Sequence, residues 1–120
     1  MACVLTELVL DCAEPERVAA FWMEVLDWEV LDRDEDAVEI GRPGLRPTLV
    51  CSRDPEPKRS KLRLHLDVNA TDRDQDAELE RLLALGARPV DVGQTGAESW
   101  HVLADPEGNE FCLLRSRVSP

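Results

Sequence analysis

His65 and Glu110 are the two residues whose chemistry and setting in this 120-residue sequence invite a common task. An imidazole and a carboxylate facing one surface can move a proton or hold a cation. Glu110 heads the returning strand of a hairpin read from residues 99–114, SWHVLADPEGNEFCLL. Two apolar-rich runs flank Asp105-Pro106-Glu107-Gly108-Asn109. Proline suits the second position of a tight turn because its φ is already fixed, and Gly108 can take positive φ without strain. His65 lies in residues 61–68, KLRLHLDV, where polar and apolar side chains alternate. Alternation of that kind marks a strand with one wet and one dry face. Leu62, Leu64, Leu66 and Val68 would share the dry face, and Arg63, His65, Asp67 and Asn69 the wet one.

Those strands need partners, and the chain supplies them twice. A strand over residues 3–11 places Leu8 and Leu10 on one face and Glu7, Val9 and Asp11 on the other. Glu14-Pro15-Glu16 then opens a helix running to about Leu26, with acids near the positive end of its dipole. Val18, Phe21, Trp22, Val25 and Leu26 form its apolar stripe, so the aromatic pair reads as core. Short strands follow at residues 28–31, 37–40 and 47–52, the last with Thr48, Val50 and Ser52 on one side. Residues 53–60, RDPEPKRS, have the composition of an exposed linker.

The same order then recurs. After the strand carrying His65 comes a helix over residues 71–85, opened by Thr71, with Leu79, Leu82 and Leu83 as its buried stripe. Gly86 stands where a left-handed residue would end it. Strands at 89–92, 100–103 and 110–114 and a polar tail at 115–120 complete the chain. The halves superpose in sequence at an offset of 58 to 59 residues, counted from Glu7 to His65 and from Leu26 to Leu85. A unit of this length does not close its own core, whereas two copies sharing a sheet surface do. The expected fold is α+β: two βαβββ modules forming a cupped mixed sheet with helices outside, in one domain over residues 1–120. Module one covers about 1–52 and module two about 61–114.

This pattern resembles the vicinal-oxygen-chelate superfamily, which includes glyoxalase I, extradiol dioxygenases and bleomycin-resistance proteins. The resemblance is carried by Glu7-Leu-Val-Leu-Asp, Pro15, the Ala-Ala-Phe-Trp-Met-Glu-Val-Leu helix, His65-Leu-Asp-Val, Leu85-Gly86-Ala87 and the Asp105-to-Phe111 hairpin. It implies a ligand cavity, often in a homodimer, whose contacts would cover exposed sheet edges. Carried over by position, it implies metal ligands at Glu7, His65 and Glu110, with Thr48 standing where a fourth carboxylate is common. Mixed N/O ligation of that kind suits Zn, Mn, Fe(II) or Ni. An ion there would polarise a substrate with neighbouring oxygens, as in a lyase, isomerase or dioxygenase, with His65 or Glu110 moving the proton. The alternative is a metal-free cup that sequesters a small drug or metabolite, as bleomycin-resistance proteins do.

Each of these residues has a plainer reading. His65 could simply bond Asp67 or Glu110, Glu110 could cap amides of the Gly108 loop, and Glu7 could be solvated or paired with Arg63. Trp100, His101, Thr48, Val50, Ser52, Arg63 and Asp67 are the candidate substrate contacts. His101 is an edge residue if its face is not the cup, and Trp100 and Trp28 are core if they do not line a pocket. A net charge of −11 with no basic stripe excludes a nucleic-acid partner and is compatible with a cationic ligand. No apolar run reaches membrane-spanning length and no basic leader precedes one, so the expected location is the cytoplasm. Cys3, Cys12, Cys51 and Cys112 form no C-x-x-C pair and read as reduced packing residues.

Overall fold

The structure, a computed structural model, describes residues 1–120. The chain forms two compact units, Met1–Pro57 and Lys58–Pro120. The first contains β1 (Glu7–Cys12), α1 (Pro15–Leu26), β2 (Glu29–Arg33), β3 (Ala37–Gly41) and β4 (Thr48–Arg53). The second contains β5 (Leu66–Val68), α2 (Gln75–Leu85), β6 (Arg88–Pro89), β7 (His101–Ala104) and β8 (Glu110–Leu113). Strand order is β1-β4-β3-β2 in one sheet and β5-β8-β7-β6 in the other. In each, the first strand pairs in parallel with the last, and the remaining pairs are antiparallel. The fold is thus α+β with two βαβββ modules of one topology, and the repeat read from the sequence is real.

In the first unit α1 packs on β3 and β4. Val18, Phe21, Trp22 and Val25 are buried on it, against a sheet that buries Val38, Ile40, Leu49 and Cys51. Phe21 and Trp22 meet edge to face with centroids 5.2 Å apart, a favoured geometry for their ring quadrupoles. The register pairs Glu7 with Thr48, Val9 with Val50 and Asp11 with Ser52. These residues share the sheet face opposite that of Leu49 and Cys51.

Helix α1 ends on Asp27, which holds φ 54° and ψ 48°. The equivalent position after α2 is Gly86, with φ 118°. An aspartate in the left-handed region is strained, and its charge opposes the negative end of the helix dipole. Asp27→Gly is expected to stabilise the protein by about 0.5–1 kcal/mol, even after the larger unfolded-state entropy of glycine. Urea denaturation checks this: the midpoint rises, and an unchanged or lower midpoint refutes the strain argument.

The second unit departs from the sequence expectations in four places. The strand anticipated at 61–68 is reduced to β5, and Leu64, assigned to its dry face, is 73% exposed. The Leu62 N–H is diverted from any ladder to the Glu110 carboxylate, at 2.9 Å. Helix α2 starts at Gln75, not Thr71, because the Asp74 side chain accepts the Ala77 N–H at 2.9 Å and caps it there. Leu82 is fully buried but Leu83 is exposed. The inward positions run Gln75, Glu78, Leu79, Leu82 and Leu85, and buried Glu78 is held by Arg81 at 2.7 Å. The strand expected at 89–92 is only β6, two residues long. The tail is also tied down: the Val118 N–H donates to the Ala70 carbonyl at 3.0 Å. Strand β1 likewise begins at Glu7 and not at residue 3, since β4 offers it partners only from Thr48 onward.

Candidate functional site

The hairpin that presents β8 is rigid for a local reason. The Gly108 N–H closes a turn on the Asp105 carbonyl at 2.9 Å, with Pro106 in second position and Gly108 at φ 89°. The Asp105 side chain, fully buried, accepts from the Glu107 and Asn109 amides and from the Asn109 side chain. Glu110 follows this clamp and is itself buried.

Both oxygens of Glu110 are committed within the second unit. Oε2 accepts from the Lys58 ammonium at 2.6 Å, and Oε1 accepts from the Leu62 amide at 2.9 Å. Burial pushes the Glu110 carboxyl up, but the Leu62 N–H and the Lys58 ammonium outweigh it and hold the group below its usual 4.5. Residues 58–62 therefore act as a strap fastened to the head of β8, a bond that neither the ligand reading nor the turn-cap reading of Glu110 anticipated. Lys58 carried no signal in the sequence beyond its place in a charged linker.

β5 and β8 bring three further donors together. Asp67 and Cys112 are direct partners in the parallel register. His65 Nε2 lies 3.3 Å from Asp67 Oδ1. The donor atoms of His65, Asp67 and Cys112 all lie within 4.8 Å of one another. Burial pushes the Cys112 thiol up, and the Asp67 charge adds to that. The sequence reading took Cys112 for a packing residue. Its partners sit 45 and 47 positions upstream, so spacing gave no warning; only the register of β5 on β8 unites them.

This face opens on a cavity of about 510 Å³ in the second unit. Its floor carries His65, Asp67, Glu110 and Cys112, and its walls include Trp100, Val92, Val102 and Leu114. Trp100 is 43% exposed, so its indole is a cavity wall and not core. Glu98 at the rim is spent on its own loop: it accepts from the Thr95 and Gly96 amides, and these bonds hold its carboxyl low. Asp67 is the exposed carboxylate of the cavity floor, where it contacts His65 and accepts from the Cys112 thiol. His101 does not line this cavity. The β7–β8 register puts it opposite Leu113, and it borders a smaller recess with Leu79 of α2 and Leu103.

The remaining candidates lie in the first unit or on the strap. Glu7 is exposed at the start of β1, and Arg63 is exposed before β5. Thr48 is buried and donates to Glu39 Oε2 at 2.6 Å. Glu39, on the neighbouring β3 and not singled out in the sequence, places a carboxylate against Thr48. Period-two alternation from Ile40 would have placed it on that face.

For the ligand set Glu7, His65 and Glu110, the bonding of Glu110 is unfavourable. The Lys58 ammonium already supplies the positive charge an ion would bring, and no Glu110 oxygen is left unengaged. His65, exposed at the cavity floor, is suited to ligation.

Comparison with known proteins agrees with the fold. Among curated proteins, none matches the chain. Among solved structures, a glyoxalase/bleomycin resistance protein/dioxygenase family enzyme from Burkholderia phytofirmans PsJN superposes with a TM-score of 0.71 at 16% identity, covering 92% of this chain and 97% of that one. A variant of the fosfomycin resistance protein FosX from Listeria monocytogenes, complexed with Mn(II) and a dihydroxypropylphosphonic acid, gives 0.71 at 13% identity over 98% and 92%. The bleomycin-binding protein of Streptomyces verticillus, complexed with copper(II)-bleomycin, gives 0.59 at 21% identity over 98% and 100%. These likenesses are of fold. The family model for the glyoxalase-like domain matches residues 7–114, from the first residue of β1 to the end of the closing hairpin, and the chain belongs to that family.

Proposed function

We propose that this glyoxalase-like protein binds a small organic molecule in the cavity of its second module, with a flat apolar body against Trp100 and a cationic or N–H donor group at Asp67. The observation that carries the reading is the half-exposed Trp100 indole on a cavity whose floor carries the exposed Asp67 carboxylate. An indole left in water at the mouth of a drug-sized cavity is a stacking platform. The acidic surface of the chain favours approach of a cation. The bleomycin-binding neighbour, complexed with copper(II)-bleomycin, supports small-molecule binding as a use of this fold. The resemblance also supports a homodimer, which light scattering during size-exclusion chromatography tests.

Titration of flat aromatic amines against the protein, followed by tryptophan fluorescence, tests the reading. Trp100→Ala is expected to weaken binding about tenfold, the worth of one aromatic stack of about 1–1.5 kcal/mol. Equal affinity in wild type and variant would refute it.

A second reading, a metal-dependent lyase, isomerase or dioxygenase acting on a substrate with neighbouring oxygens, is favoured by His65 opening to the same cavity and by the Mn(II) complex of the FosX neighbour. At Glu110 it requires the Lys58 ammonium to leave first, and on that ground it ranks second.

A further inference from the structure

We propose that His65, Asp67 and Cys112 form a zinc site on the cavity floor, distinct in its donor set from the carboxylate-rich set implied by the family resemblance. The inference goes beyond the ligand-binding reading and shares Asp67 with it, so that zinc and a ligand's cationic group compete for that carboxylate.

The three residues offer an imidazole nitrogen from just before β5, a carboxylate oxygen from β5 and a thiol sulfur from β8. Register fixes one contact, since Asp67 and Cys112 are direct cross-strand partners, and His65, just before β5, reaches Asp67 by its side chain. Four-coordinate zinc needs ligand atoms about 3.3–3.8 Å apart, given bonds of about 2.0–2.3 Å. The donors here lie within 4.8 Å, and His65 and Asp67 already approach to 3.3 Å. The closure still required is a rotation of side chains that are 40% and 47% exposed, toward a sulfur that is held in the sheet. Three protein donors leave a fourth position open toward the cavity, the arrangement of a reactive and not a purely structural ion.

The thiol decides the metal. Sulfur ligation favours zinc and cobalt over manganese, which prefers oxygen donors. Binding converts Cys112 from thiol to thiolate; the sulfur–hydrogen bond breaks, the sulfur pair forms the bond to the metal, and the proton passes to buffer. Glu110 stays with Lys58 and Leu62 and takes no part.

The test uses the full chain and metal alone. Zinc is titrated by calorimetry in two buffers of different ionisation enthalpy, and cobalt is titrated while absorbance is followed. The expected result is one zinc per chain, release of a proton, and a thiolate-to-cobalt charge-transfer band. Cys112→Ser should abolish the band and weaken zinc by at least about tenfold, while weakening manganese far less. Asp67→Asn, a change at an exposed side chain that leaves the core intact, should also weaken zinc, and Cys3→Ser should behave as wild type. Absence of stoichiometric zinc would overturn the site. So would zinc binding that survives Cys112→Ser and Asp67→Asn but is lost in Glu7→Gln or Glu110→Gln.

Discussion

Asp105→Ala should lower the unfolding free energy by about 3–5 kcal/mol, the largest loss expected from any single polar side chain here. Asp105 is fully buried, and its carboxylate accepts from two backbone amides and from both contacts of the Asn109 amide. Each bond to a charged acceptor is worth about 1.5–3 kcal/mol, but bonds sharing one acceptor do not add. Removing the carboxylate strands the Asn109 side chain and two amides where water has little access. It also loosens the turn that aims Glu110 and Cys112. Chemical denaturation measures the loss, and Asp105→Asn should recover part of it. A loss below 1 kcal/mol would mean that the turn is held by its Pro-Gly geometry alone.

Lys58→Met is the second large effect. It leaves the buried Glu110 carboxylate with the Leu62 amide and no counter-charge. The expected cost at pH 7 is about 1–3 kcal/mol, moderated because Lys58 keeps partial access to water. The pH dependence follows from the same bond. Because folding lowers the Glu110 pKa from 4.5, its contribution is present above that value and is lost as pH falls through the folded-state pKa. The wild type should therefore shed this stability in acid, and the gap to Lys58→Met should narrow as the Glu110 carboxyl takes up its proton. A gap that stays constant with pH would show that Lys58 acts by packing and not through charge.

The sequence made the architecture legible wherever local chemistry and pattern agreed. Pro15 and the Phe21–Trp22 stripe define α1, and the Asp105–Asn109 clamp defines the last hairpin, because each is settled by residues a few positions apart. The site was less legible because its determinants are non-local. Alternation in residues 61–68 promised a full strand, yet the Leu62 amide is bound by Glu110 from 48 positions away. Cys112 looked like a small hydrophobe until the register set it against Asp67. His101 shares a short segment with Trp100, and both border the smaller recess, but only Trp100 also lines the larger cavity. Glu39 lies on the face its strand period assigns, but it meets Thr48 only through the pairing of β3 with β4.

The account turns on Trp100 as the wall against which an organic ligand rests. The direct measurement is the indole N–H resonance of Trp100, assigned by its loss in Trp100→Ala, during titration with flat aromatic amines. The account predicts that this signal moves with saturation and that Asp67→Asn weakens the binding. Saturable binding that shifts the Trp22 and Trp28 indoles while leaving Trp100 still would contradict it.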